Sequence, residues 1–308
     1  MSDTELRGVY PVVSTPFQED GTVDHEGIER VVEAQVDRGV HGVVLFGIAA
    51  EFYKLGDNER QRIVKTATDA LAGTDTDLVV SVTDHATYRA ERFGQFAEAK
   101  GADALMLLPP FFLGPSSDDL TRHVRRVCEA VEIPVMVQYA PEQTGVTLAP
   151  ETFRELGEAV ETLRYVKVES QPPGPDISGI AEGGAGGGVE ALVGYAGLQM
   201  IDALDRGAVG VIPGASISDH YLTVWERYQA GDREGARRKH AELLPLITHL
   251  IQDIEGFIHY EKRMLAAMGL VDSTRAREPA FRPDEHFDRR FEECFEELVD
   301  PEPAETSG

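Results

Sequence analysis

Basic residues, and lysine above all, are scarce in this 308-residue sequence: Lys and Arg total 29 against 54 Asp and Glu, a formal net charge of −25. Only six are lysines, Lys54, Lys65, Lys100, Lys167, Lys239 and Lys262. So anionic a chain is poorly suited to nucleic acid, which is bound by neutralising phosphates with Lys and Arg. It is equally poorly suited to a membrane surface, which wants a basic amphipathic face. No apolar run approaches the roughly 20 residues of a membrane span. The opening Met-Ser-Asp-Thr-Glu-Leu-Arg lacks the basic and apolar regions of a secretory signal, so a soluble cytoplasmic protein is expected. Two cysteines, Cys128 and Cys294, make neither a disulfide framework nor a zinc site. The nine histidines show no metal-ligand spacing. Acid excess with depleted lysine is the composition of a halophilic protein, because strong screening tolerates surface self-repulsion.

What the sequence has is a repeating pattern. Short apolar, β-branched runs recur at Val9–Val13, Gly42–Phe46, Leu78–Val82, Ala104–Leu108, Pro134–Gln138, Tyr165–Val168, Ala191–Val193 and Ala208–Ile212. They are continuous and not alternating, as strands buried on both faces of a parallel sheet require. Segments of helical period lie between them, several ending in glycine: Arg38-Gly39, Lys100-Gly101 and Arg206-Gly207. Strand then helix, eight times over, predicts an α/β (β/α)8 TIM barrel over residues 1–225. A helical extension is expected over 226–299 and an acidic, Pro-containing disordered tail over 300–308. The Gly183–Gly188 run precedes a strand, where a phosphate-cradling loop would follow one; it is read as a flexible connector.

Barrel active sites lie at the C-terminal ends of the strands, which directs attention to three places. Lys167 sits in an apolar strand, where burying an ammonium is costly unless it is paired or deprotonated. It is either a Schiff-base nucleophile or a strand-end lysine that reaches water or pairs with Glu169. Tyr139 ends the fifth strand, one strand earlier, and is either a proton relay facing the same cavity or a packed aromatic. The second strand runs into Gly47-Ile48-Ala49-Ala50-Glu51, a turn of small residues that lets backbone amides approach an anion.

Together these resemble the dihydrodipicolinate synthase and N-acetylneuraminate lyase superfamily of class I pyruvate-type aldolases. Other matching pieces are Gly8-Val9-Tyr10-Pro11 through Thr15-Pro16-Phe17, Leu108-Pro109-Pro110-Phe111-Phe112 and Gly207-Ala208-Val209-Gly210-Val211-Ile212. The resemblance implies that Lys167 forms the Schiff base and that Tyr139 moves protons. It also implies that Ile48, Ala49 and Ala50 line the keto-acid site, that Gly194 leaves room beside the imine and that Ile212 forms an apolar wall. It implies further that no cofactor or metal is needed and that the chain is a homotetramer. His85, after the third strand, either contacts a substrate hydroxyl or caps a helix. Glu51 is either a carboxylate at a helix N-terminus or a substrate contact.

The departures from the family pattern matter equally. Ile48 and Ala49 stand where synthases of the family carry hydroxyl residues, Phe111 or Phe112 where a second Tyr completes their relay, and Gln143 at or near an Arg that grips aspartate semialdehyde. The Met136-Val137-Gln138 run before Ala140-Pro141 and the Glu261-Lys262-Arg263-Met264-Leu265 run look like the family's 2-keto-3-deoxypentonate dehydratases, relatives of its 2-keto-3-deoxygluconate aldolases. The expected activity is therefore a Schiff-base lyase acting on a small-molecule 2-keto-3-deoxy sugar acid. A dihydrodipicolinate synthase-like condensation and a non-catalytic keto-acid binder are the alternatives.

Overall fold

The structure, a computed structural model, describes residues 4–182 and 188–299. Most of the Gly183–Gly188 connector and the 300–308 tail thus lie outside the described residues. All eight expected strands are present: β1 (Gly8–Val9), β2 (Gly42–Leu45), β3 (Asp77–Ser81), β4 (Ala104–Leu107), β5 (Val135–Tyr139), β6 (Leu163–Val168), β7 (Glu190–Val193) and β8 (Gly210–Val211). They pair in parallel in the order β1-β8-β7-β6-β5-β4-β3-β2. A bridge from Val12 to Val44, with the Val44 amide donating to the Pro11 carbonyl at 2.9 Å, brings the two edges together. β1 is shorter than expected because Pro11 has no N–H to continue the ladder.

Around the strands lie α1 (His25–Arg38), α2 (Asp57–Leu71), α3 (Thr87–Ala99), α4 (Ser117–Glu129), a single turn α5 (Pro141–Thr144), α6 (Pro150–Ala159), α7 (Gly174–Ala181), α8 (Met200–Asp205) and α9 (Ser218–Gln229). Gly39, Gly101 and Gly207 adopt φ of 78°, 94° and 98°, the left-handed conformation that ends a helix at little steric cost in glycine. The extension consists of α10 (Arg233–Leu250), α11 (Ile254–Ala267) and α12 (Glu285–Val299). α9 spans residue 225, where the division between barrel and extension was expected. α11 of the extension packs against the turn that follows β2.

The strands bury both faces. Val44, Val79, Met106, Met136, Tyr165 and Leu192 fill the barrel, while neighbours such as Val43, Val80, Val137 and Val166 face the helices. Two-sided burial explains why the runs are continuously apolar. At the floor the Leu6 amide donates to the Tyr165 hydroxyl at 2.9 Å and Tyr10 donates to Asp77 at 2.7 Å. The opposite end, where the strands finish, is open to a cavity.

Candidate active site

Side chains two apart on a strand share a face. Tyr165 lies in the barrel interior, so Lys167 does too, and Glu169, just past the strand, extends the same row. Gln138 of β5 stands in register with Lys167, bringing all three polar groups to one point. Lys167 is 4% exposed, and its Nζ lies 3.0 Å from Glu169 Oε1. Glu169 Oε2 accepts from Gln138 Nε2 at 2.6 Å, and Oε1 accepts from the Tyr195 amide at 3.1 Å. The amine therefore faces a carboxylate whose orientation is fixed from two further directions. These groups open into a cavity that Val12, Ile251 and Phe257 also line.

Of the residues singled out in the sequence, Ile48, Ala49 and Ile212 line this cavity with Lys167. Ala50 lies behind them in the barrel core, its carbonyl accepting from Thr15 Oγ1 at 2.8 Å. Gly194 leaves its room to the carboxylate and not directly to an imine: a Cβ there would collide with Glu169 Cγ and Oε1. His85 lies apart from the lysine, in an outer cavity, edge-on to Phe111 with ring centroids 4.8 Å apart.

Tyr139 requires a correction. In β5 Met136 faces the barrel interior and Gln138 the cavity, so Val135, Val137 and Tyr139 face outward. Tyr139 pairs with outward-facing Val168 and packs edge-on against Phe153 of α6 with centroids 5.3 Å apart. Burial pushes its pKa up, Asp176 adds to this, and a backbone hydrogen bond at Leu148 opposes it. The phenol expected beside the lysine is thus in the strand–helix layer, and Gln138 occupies the inward position. The signal was available: in an otherwise apolar strand a lone Gln marks the face that meets a polar cavity. Tyr195, not singled out in the sequence, also lines the cavity, its pKa raised by burial and by Glu142 and Glu169.

Two strained turns frame the site. Among the described residues the non-glycine positions with positive φ are Phe46 and Glu51, flanking the turn after β2, and Tyr195 and Ala196, after β7. Such conformations persist only where surrounding contacts hold them. Glu51 is neither a dipole cap nor a substrate contact: fully buried, it pairs with Lys262 and, at 3.1 Å, with Lys54, and accepts from the Arg277 amide at 3.1 Å. Burial lowers the Lys262 pKa to about 8, with Glu51 opposing. Its Nζ lies 4.3 Å from the Phe17 ring centroid. Lys262 is thus a second buried lysine, legible from the helical period of Ile258, Glu261, Lys262 and Leu265, all on the buried face of α11. Glu261, its pKa raised by burial, accepts from the Ser216 amide at 2.8 Å and hydroxyl at 2.7 Å and so fixes the loop after β8. Among the described residues no cluster of His, Cys, Asp and Glu is placed to hold a metal ion.

A (β/α)8 barrel with a buried lysine at the C-terminal end of a strand, opening into a cavity, defines the class: a class I lyase. The chain belongs to the dihydrodipicolinate synthetase family, whose model matches residues 5–297. It is similar to the 4-hydroxy-tetrahydrodipicolinate synthase of Salinibacter ruber, 29% identical over 300 residues, covering 97% of this chain and 98% of that one. The synthase of Methanococcus aeolicus is 28% identical over 247 residues, 80% of this chain and 83% of its own. In fold the chain matches dihydrodipicolinate synthase from Aquifex aeolicus with a TM-score of 0.88 at 23% identity, covering 96% of this chain and 98% of that chain.

Proposed function

We propose that the protein is a Schiff-base lyase for a 2-keto-3-deoxy sugar acid, with Lys167 as nucleophile and Glu169 as its acid–base partner. The ion pair with Glu169 that stood as the alternative to a nucleophile is present, at 3.0 Å; what carries the reading is where the pair sits, buried at the C-terminal end of β6 and lining the cavity. Glu169 takes a proton from the ammonium, and the free amine adds to the C2 ketone. The carboxyl returns that proton as the carbinolamine loses water, leaving an iminium that acidifies C3. Glu169 then removes a C3 proton to give an enamine. Collapse of the enamine expels the C4 hydroxyl, which leaves as water with that proton; in a pentonate, transfer of a C5 proton to C3 and of the C5 hydroxyl proton to C4 turns the unsaturated iminium into a C5 aldehyde, and hydrolysis releases the keto product and Lys167. No phenol is required in this sequence, consistent with Tyr139 facing outward. Dehydration is preferred over C3–C4 cleavage. Ile48, Ala49 and Ala50 form the turn that receives the substrate carboxylate, Ile212 is the apolar wall, and Gly194 admits Glu169.

The polar groups a synthase would need are replaced: Ile48, Ala49 and Gln143 line the cavity where hydroxyls and a guanidinium would serve. The second reading, condensation of pyruvate with an aldehyde, is favoured by the names of the relatives, at 25–30% identity. Phe112 and Leu113, 78% and 89% exposed beyond β4, are suited to packing against a second copy, supporting a homo-oligomer. The composition supports a cytoplasmic setting of high ionic strength.

Incubation with 2-keto-3-deoxypentonates and 2-keto-3-deoxygluconate tests the substrate reading. The expected product is 2-oxoglutarate semialdehyde from a pentonate. Pyruvate release would transfer the activity to the aldolase. Turnover of pyruvate with aspartate semialdehyde, and of neither sugar acid, would contradict the reading.

A further inference from the structure

The turn after β7 holds three successive residues in the left-handed region: Tyr195, Ala196 and Gly197, at φ of 53°, 51° and 68°. Only the last is glycine, and the first two are strained there. Such a turn keeps its shape only if other parts of the chain hold it. Within it the Gly197 amide donates to the Gly194 carbonyl at 2.9 Å and the Leu198 amide to the Tyr195 carbonyl at 3.2 Å.

Two buried side chains from later helices grip it from outside. Tyr221 of α9, 1% exposed, donates to the Ala196 carbonyl. His240 of α10, 6% exposed, bonds the next carbonyl, that of Gly197, through Nε2 at 2.9 Å. A carbonyl only accepts, so Nε2 carries the ring hydrogen. The Tyr221 ring also lies so close that a Cβ on Gly197 would stand 2.8 Å from its Cε1. Through His240 the extension holds a second of the turns that frame the site.

What the turn aims is one N–H. The Tyr195 amide donates at 3.1 Å to Glu169 Oε1, the same oxygen that lies 3.0 Å from Lys167 Nζ. Gln138 holds the other oxygen. A shift of the turn therefore moves the donor that sets how Oε1 faces the amine. Tyr195 and Ala196 line the lysine cavity, but Tyr221 and His240 do not, so their effect on chemistry passes through the turn.

We propose that Tyr221 and His240 are positioning residues for Glu169, acting through the turn after β7 by holding the Ala196 and Gly197 carbonyls. This rests on the lyase reading, in which Glu169 moves the C3 proton, and adds what keeps that carboxylate aimed.

The test uses the full-length protein with pyruvate and two readouts. Borohydride reduction carried to completion counts the chains whose Lys167 forms an adduct. Exchange of the pyruvate methyl protons in heavy water, followed by NMR, reads the step in which Glu169 takes a C3 proton from the iminium and a deuteron returns to the enamine carbon. Tyr221→Phe and His240→Leu should each exchange about tenfold more slowly than wild type per trapped chain, and the double variant about 10²-fold, the cost of a misplacement of about 1 Å. His240→Gln, whose amide can present an N–H in the same place, should stay within about threefold of wild type. All the variants should trap pyruvate to the wild-type extent, which also shows that they fold. Wild-type exchange in Tyr221→Phe or in His240→Leu overturns the proposal. So does a loss in His240→Gln equal to that in His240→Leu, which would assign the effect to ring packing, or a loss of adduct in step with exchange, which would assign it to the fold. Wild type that fails to trap pyruvate at Lys167, or traps it without exchange, overturns the lyase reading itself.

Discussion

At the scale of residues, chemistry depends on which way a side chain points, and here one residue of register separates two accounts. Tyr139 and Gln138 are adjacent, yet the register with β6 places Gln138 against Lys167 and Tyr139 against Val168. Tyr139→Phe should therefore keep activity within about threefold of wild type. Glu169→Gln should lower kcat about 10² to 10⁴-fold, the usual contribution of a positioned acid–base group; steady-state rates on the preferred keto acid decide between them. A Tyr139→Phe loss as large as that of Glu169→Gln would reinstate the phenol. Lys167 was legible in the sequence because a cation in an apolar strand demands an explanation. The role of Glu169 was not, because it lies beyond the end of the strand, where alternation is no longer enforced by the ladder. Ile48, Ala49 and Ile212, which the family resemblance implied for the site, line the cavity, and Gly194, expected to leave room beside the imine, lies against Glu169.

Among the elements, the strands and glycine-capped helices followed from the sequence because both depend on local chemistry: β-branched runs, helical period and the left-handed freedom of Gly39, Gly101 and Gly207. What did not follow was the contact between α11 and the turn after β2, since nothing local indicates that residues some two hundred apart will form a buried pair. Lys262 and Glu51 make that pair, and without Lys262 the buried Glu51 keeps Lys54 alone as a cationic partner. Lys262→Met should cost about 3 kcal/mol, the low end for a broken buried pair, measured by denaturant unfolding, and the double variant Glu51→Gln/Lys262→Met should recover part of it. Equal losses in the single and double variants would show that the pair does not hold the turn. The turn after β7 makes a sharper demand. Gly194→Ala pushes Glu169 aside, and a displacement of about 1 Å is enough to lower kcat about 10²-fold in steady-state assays, with an overpacking cost of about 1–3 kcal/mol.

Across the whole molecule, the charge of −25 and the buried histidines set opposite responses to solvent. Salt at about 1 M shortens the Debye length to about 3 Å, so self-repulsion is relieved and the unfolding temperature should climb between 0.1 and 2 M KCl. A flat or falling curve would contradict the halophilic reading. Burial lowers the pKa of seven of the nine histidines, His25, His41, His123, His220, His240, His249 and His259. His123 falls to about 4, from 6.5. Between these pH values the unfolded chain binds the proton and the folded one does not, so stability falls as pH drops from 6.5 towards 4. His123 alone contributes a loss of roughly 3 kcal/mol across that window. His123→Gln should flatten that part of the pH–stability curve.

The central claim, that this barrel works through one covalent lysine, has a direct test in intact mass after borohydride reduction with pyruvate, followed by peptide mapping. The account predicts one reduced adduct per chain, on Lys167, and none in Lys167→Arg. An adduct on Lys262 or Lys54, whose amines are also shielded, or no adduct at all would contradict it.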